Sequence, residues 1–405
     1  MSNWLRTVRG LCLVSNAVLA SSTPAQRIGG AIYGSLVADA LTLGSHYEYD
    51  AKAIKQAYGG TITEFMAPGE KMGGSTHGVG WGRRNYHPGQ KKGDQTDYGL
   101  YVMLSLEYFA NHHPGGGEIS FEKLLPLWAD KFTSNSWGAW VCTQTRQALQ
   151  KYLSQKDKNY DSKLIRSLGG MSNAMGLRSP AALGVYSDIG LLTKASDSLM
   201  FTHASMEALA GGEFFTRLTY KIVHSDNIKS VDELMKLMEQ SVAEMVDDRR
   251  NFCSAQLKKG RTKYEEATDP KRPLYKEEFV DDLAATSMAR LWDVGKTEPI
   301  KVGKASPTEG TMPTSIYLIL KYFSLYPSSP GKAFAEGVRA NAMIGGDNAS
   351  RSIAVGMVLG AMAGTSEVFG GTNEFGMAWK ESLNTYQQAE AWINKLSDKL
   401  HHSEL

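Results

Sequence analysis

Two stretches of this chain place small residues at every fourth position within a helical pattern. In 28–43 they are Gly30, Gly34 and Ala38; in 353–364 they are Gly356, Gly360 and Gly364. Glycine inside a helix costs about 1 kcal/mol relative to alanine. Several glycines on one face therefore imply two helix backbones in close contact. In a bilayer this spacing would mark a dimer seam. The run 353–364, the longest apolar stretch, covers only about 12 residues, whereas a membrane span needs ~20. Both helices are expected in a protein core, each as a candidate partner for the other.

Helical periodicity dominates the rest of the sequence, and period-2 alternation is scarce. Further helices are expected at 98–111, 121–132, 138–153, 198–224, 231–244, 277–291, 314–326, 332–341 and 374–400. Pro24, Pro68, Pro114, Pro180, Pro270 and Pro330 punctuate between them. The charged segments 154–163 and 257–275 read as solvated connections. A length of 405 residues suggests two or three domains, but no repeat or clear linker divides the pattern. One large all-α domain of orthogonal helices is expected over 27–400.

Composition narrows the function classes. Hydrophobic residues make up 42% and charged residues 21%, which excludes wholesale disorder. Lys+Arg number 44 against Asp+Glu 42, so there is no electrostatic case for a nucleic-acid binder. Cys12, Cys142 and Cys253 form no CxxC pair, which argues against a disulfide framework or a cysteine-based zinc site. HExxH, GxSxG, Walker and dinucleotide fingerprints are absent.

No acidic residue precedes Asp39, and Arg6, Arg9 and Arg27 lie in a Ser-rich leader. Residues 1–26 read as a mitochondrial transit peptide, an untargeted extension or, less well, a secretory signal. An intracellular location, cytoplasmic or mitochondrial, is expected, with no membrane partner.

Residues 59–93 hold ten glycines together with Trp81, Arg83, Arg84, Tyr86 and His87. A long irregular segment of hinges, cations and aromatics suits a lid over an anionic, planar ligand. Immediately after it comes Gly93-Asp94-Gln95-Thr96-Asp97-Tyr98, ahead of a helix. Gly345-Gly346-Asp347-Asn348-Ala349-Ser350 has the same form: glycines, then oxygen donors, then a helix start. Each turn could simply cap its helix. Brought together, they would join Asp97 to Asp347, with Thr96 and Ser350 alongside. Such hard oxygen donors suit Mg²⁺. Trp137 and Trp140 read as core residues, Arg249-Arg250 as a solvated helix face, and His112-His113 as part of a loop.

RIGGAIYGSLVADAL (27–41), GDQTDYG (93–99), GGMSNAMGLRSPAALGVY (169–186), FTHASMEALAGG (201–212) and GGDNASRSIAVGMVLGA (345–361) together resemble the ADP-ribosylglycohydrolase family. HYEYD (46–50) and GGDNAS are most similar to its branch of J-type lens crystallins and selenoprotein J. The resemblance implies an all-α domain, a cleft for ADP-ribose or an ADP-ribosylated substrate, and commonly two Mg²⁺ ions.

Carried over residue by residue, the resemblance makes Thr96, Asp97, Asp347 and Ser350 the metal donors, with Asp97 and Asp347 catalytic. Tyr98 stands where the family has a second carboxylate, and either blocks the metal or stacks on the ligand. Ala349 replaces another carboxylate. His46 falls near the family's early glutamate, with Glu48 two residues on; both are candidate acid–base groups. Ser172, Asn173 and His203 match substrate-contact segments, and Trp81, Arg83 and Arg84 are lid contacts, the arginines toward the diphosphate. With carboxylates lost, one weak Mg²⁺ site or none is expected. The reading is a hydrolase of ADP-ribosyl linkages; the alternative is an inactive crystallin-like structural protein or nucleotide binder. The oligomeric state stays open.

Overall fold

The computed structural model describes residues 22–49, 51–71, 86–113, 115–133, 137–155, 168, 170, 174–225, 228–271, 306–368 and 377–403. Trp81, Arg83, Arg84, Ser172 and Asn173, the centre of the proposed lid, Cys12, most of the leader and the expected helix at 277–291 lie outside these residues. Among the described residues there are fourteen α-helices and no strand, apart from one isolated antiparallel bridge between Ala174 and Pro307.

The central pair is α1 (Pro24–Thr42) and α12 (Asn348–Val368), which share the most extensive helix–helix contact among the described residues. The small-residue spacing explains it. A Cβ added at Gly30 would fall on the carbonyl oxygen of Gly360, and one at Gly34 on that of Gly356. The reverse substitutions meet the Gly30 and Gly34 carbonyls. Gly364 does not continue the seam as regular helix: its φ of 66° breaks α12 there.

Around this pair lie α3 (Asp97–Asn111), α7 (Met206–Val223), α10 (Thr308–Leu325) and α11 (Pro330–Ile344). The remaining elements are α2 (Ala51–Tyr58), α4 (Phe121–Thr133), α5 (Thr143–Ser154), a 3-10 turn (Pro180–Gly184), α6 (Ile189–Leu199), α8 (Val231–Ala243), α9 (Asp247–Thr268), α13 (Met377–Glu381) and α14 (Tyr386–Ser403).

Several sequence expectations change. Pro24 opens α1 at its first turn, where a missing N–H costs nothing, beside a Thr23–Gln26 capping box. The expected helix 198–224 is two helices. Arg178 Nη1 donates to the Leu199 carbonyl at 2.7 Å at the end of α6, and Ser205 caps α7 by accepting from the Ala208 N–H. The segment 257–275 is no connection: α9 runs through it to Thr268. Its inward stripe of Cys253, Gln256, Leu257, Gly260 and Ala267 is so narrow that averaged polarity hides it. A Cβ at Gly260 would lie 2.7 Å from Ile316 Cβ, so α9 sits tightly on α10. The expected helix 138–153 starts only at Thr143, with Cys142 at its cap. Trp137 and Trp140 are half-buried rather than core, and Arg249 bridges Asp197 and Glu213 instead of facing solvent, whereas His112-His113 is a loop as expected, with His113 buried in it. No helix among the described residues is long and apolar enough to cross a membrane.

Candidate functional site

The two glycine-led turns meet. Tyr98, one residue into α3, donates its hydroxyl to Asp347 Oδ2 at 2.9 Å, at the start of α12. The approach depends on backbone shape. Gly345 has φ 70°, and a Cβ there would strike the carbonyl of Glu48, so a side-chain-free residue is required. Gly346 N–H then donates to the Glu48 carbonyl, and Tyr47 N–H donates to the Gly346 carbonyl at 2.8 Å. Tyr47 takes φ 64°, a left-handed conformation that costs a bulky residue of order 1–3 kcal/mol. This pairing docks residues 46–48 against the Asp347 turn.

Each turn also caps its helix, the plainer role the sequence allowed. Thr96 Oγ1 accepts from Tyr98 N–H at 3.1 Å, and Asp347 Oδ1 accepts from Ser350 N–H at 3.3 Å. Asp39, buried on α1, anchors the first turn: its carboxylate accepts from Thr96 N–H and from the Thr96 hydroxyl, both at 2.7 Å. Burial, opposed by these bonds, raises the Asp39 carboxyl to about 7. Asp39 carried no role in the sequence reading. It lies 57 residues from Thr96, and nothing local marks an aspartate on an apolar helix face as an anchor.

Asp97 is buried. Cys142 N–H donates to its Oδ2 at 3.3 Å, while Oδ1 finds no partner among the described residues. Burial first, then the charge of Asp347, pushes its carboxyl up to about 7. Burial also raises Asp347, against bonds from Ser306, Tyr98 and Ser350 and the nearby Arg351 charge.

His46 is fully buried. Its Nδ1 lies 3.1 Å from Asn348 Oδ1, and its Nε2 is unpartnered among the described residues. Burial lowers it to about 3, so the ring is neutral. His87, also fully buried, stacks at a tilt 5.2 Å from it, and burial lowers His87 well below the usual range. Ring and carboxylate donor atoms of His46, His87 and Asp97 lie within 4.8 Å of one another. The sequence reading grouped His87 with the lid rather than with the carboxylates. Only its place in the glycine-rich segment hinted at function.

Glu48 is buried and reaches the Asp347 turn through its backbone carbonyl. His203, in the turn between α6 and α7, lies 3.2 Å from Cys142 Sγ through Nε2 and 3.1 Å from Arg178 Nη2 through Nδ1. Cys142 thus links His203 to Asp97. Tyr86, 5.6 Å from Trp140 edge to face, lines with it and Arg146 a groove of about 310 Å³.

These donors do not fit a pair of Mg²⁺ ions. Thr96, Ser350 and Tyr98 are neutral hydroxyls, donating to Asp39, to the Asp347 carbonyl at 2.9 Å and to Asp347 Oδ2, so of the donors proposed for the metal only Asp97 and Asp347 carry charge to set against two divalent ions. Asp97 Oδ1 is unpartnered among the described residues, and the imidazoles of His46 and His87 lie close to the Asp97 carboxylate.

A family model described as ADP-ribosylglycohydrolase matches residues 20–404. A search of curated proteins returns no match. One solved structure, an "ADP-ribosylglycohydrolase-related protein complex", is similar at 16% identity and a TM-score of 0.57, over 93% of this chain and 98% of that one. That likeness supports the all-α fold, and the extent of the family match settles the affiliation: the chain belongs to the ADP-ribosylglycohydrolase family.

Proposed function

We propose that the chain hydrolyses an ADP-ribosyl N- or O-glycosidic linkage in the cleft where Asp97 meets the Asp347 turn. One observation carries the reading: in a chain of this family, two buried carboxylates from separate helix starts converge, and one keeps an oxygen that is unbonded among the described residues. Asp97, with its carboxyl raised to about 7 by burial and by Asp347, titrates where a general base is most effective. Ionised, it takes a proton from the water that attacks C1″ of the ribose as the bond from C1″ to the leaving nitrogen or oxygen breaks, and the protonated carboxyl then returns that proton to the leaving group. The Asp347 carboxylate, held by Tyr98 and Ser350, stabilises the positive charge that develops on the ribose ring. Tyr86 and Trp140 offer aromatic faces for the adenine end, and Arg83 and Arg84 are the proposed diphosphate contacts. At most one weak Mg²⁺ ion is proposed, and no step depends on it.

A second reading, ADP-ribose binding without turnover, is favoured by the Tyr98–Asp347 bond, which occupies an oxygen that a metal or substrate would otherwise meet. The test compares ADP-ribose release from N-, O- and polymer-linked substrates by wild type, Asp97→Ala and Asp347→Ala. Each variant is expected to lose about 10²-fold or more, and wild-type activity should rise with pH through about 7 as Asp97 ionises. Equal rates in all three proteins would sink the mechanism. An ADP-ribose-induced rise in melting temperature without release would favour the second reading.

A further inference from the structure

We infer that His46, His87 and Asp97 form a binding site for one divalent transition-metal ion of the Zn²⁺ class. The argument starts from the tautomer of His46. Asn348 Nδ2 donates to Ser45 Oγ at 2.9 Å and to the Ala342 carbonyl at 3.2 Å, which fixes Asn348 Oδ1 as the atom facing His46. Oδ1 can only accept, so His46 Nδ1 carries the proton. Nε2 is left with a bare lone pair, buried and unpartnered among the described residues. A metal-bound histidine is oriented in this way, through an outer hydrogen bond from its other nitrogen.

The second observation is that Asp97 Oδ1 is likewise buried and unpartnered. The third is the mutual distance. Donor atoms of the three residues lie within 4.8 Å. Ligands of a tetrahedral Zn²⁺ ion at ~2.0–2.1 Å sit roughly 3.3 Å apart, a closure that small side-chain rotations supply. Full burial disfavours the imidazolium form of both rings, and the neutral ring is the ligating one.

Two imidazoles and one carboxylate select Zn²⁺, Fe²⁺ or Co²⁺ over Mg²⁺, which prefers an all-oxygen shell. Three protein ligands also leave coordination positions open. The site shares Asp97 with the proposed hydrolysis but does not require it, and an ion on Asp97 competes with the proton that this carboxylate takes as a base. Metal can bind where no turnover occurs, and the release assay is run with chelator as well as without.

The experiment titrates chelator-stripped wild-type protein with Co²⁺, followed by visible absorption, then with Zn²⁺ and Mg²⁺ as competitors. One equivalent of Co²⁺ is expected to give ligand-field bands that Zn²⁺ abolishes and a thousandfold excess of Mg²⁺ leaves in place. Paramagnetically shifted imidazole N–H resonances should report two histidines. His46→Ala and His87→Ala, shown to be folded by circular dichroism, should each weaken Co²⁺ binding by at least a hundredfold. The inference is overturned if the wild type binds no Co²⁺, if Mg²⁺ competes equally, if no imidazole N–H is shifted, or if the folded variants bind as the wild type does. A failed metal titration leaves the chelator-treated hydrolysis assay standing, so the two readings fail separately.

Discussion

At the scale of a residue, Tyr98 decides what the converging turns can do. Its hydroxyl donates to a buried carboxylate that also accepts from Ser350 N–H. Removing the hydroxyl leaves Asp347 short of a donor in a place where water is scarce. Such a loss costs about 1–3 kcal/mol. Tyr98→Phe is therefore expected to lower the free energy of unfolding by that amount at pH 8. The bond also opposes the upward shift that burial imposes on Asp347, so the variant's carboxyl titrates higher than the wild type's and protonates sooner as pH falls. The deficit should shrink at pH 5, measured by urea unfolding at both values. An equal deficit at both would mean that the bond does not favour the ionised carboxylate. The two turns were legible because a cap is local: glycines, an oxygen side chain and a helix start within six residues. His87 and Asp39 were not, because each meets its partners across 41 and 57 residues of sequence respectively, taking His87 to His46 and Asp39 to Thr96.

At the scale of an element, the seam between α1 and α12 organises everything else, since it carries Asp39 on one helix and Asp347 at the start of the other. Adjacent glycines of α1 give a sharp contrast. Gly29→Ala would place its Cβ 2.8 Å from the Thr365 methyl, a side-chain end that can turn away. Gly30→Ala would place it on the Gly360 carbonyl, a backbone atom held by its own helix. Alanine gains about 1 kcal/mol of helix propensity at either site. Overpacking that cannot relax costs typically 1–3 kcal/mol or more. Gly29→Ala should come out at or above the stability of the wild type, and Gly30→Ala destabilised by about 2 kcal/mol, the upper overpacking cost less the propensity gain, in chemical denaturation. Comparable values for the pair would remove the seam as the organising contact. The seam was legible because its period was in the sequence. The break between α6 and α7 was not, because it rests on Arg178 reaching back to Leu199. The inward stripe of α9 was not legible either, because its five residues are outnumbered by charged neighbours.

At the scale of the whole molecule, two sets of buried groups titrate against each other. Asp39 and Asp97 are raised to about 7, and Asp347 is raised too, in each case chiefly by burial. His46 is lowered to about 3, and His87 and His203 fall well below the usual range, again chiefly by burial. The signs are opposite. A carboxyl with a raised folded value holds its proton in the native state while the unfolded chain, with a value near 3.8, has released it. Its contribution is fully present below about 4 and lost as pH rises toward 7. A histidine kept neutral in the fold loses stability as pH falls below about 6.5, where the unfolded chain protonates. Between about pH 4.5 and 6 the raised carboxyls and the neutral imidazoles act in opposite directions, so their pH dependences partly cancel. Asp39→Asn removes one carboxyl from the balance while keeping an acceptor for Thr96. Relative to the wild type, its unfolding free energy should then fall on acidification by roughly 1 kcal/mol per pH unit across that window. Guanidinium unfolding of both proteins at pH 6 and pH 4.5 checks this. A variant profile parallel to the wild type's would mean that Asp39 is ionised in the folded protein throughout, and that the α1–α3 junction is held by a charge rather than by a shared proton.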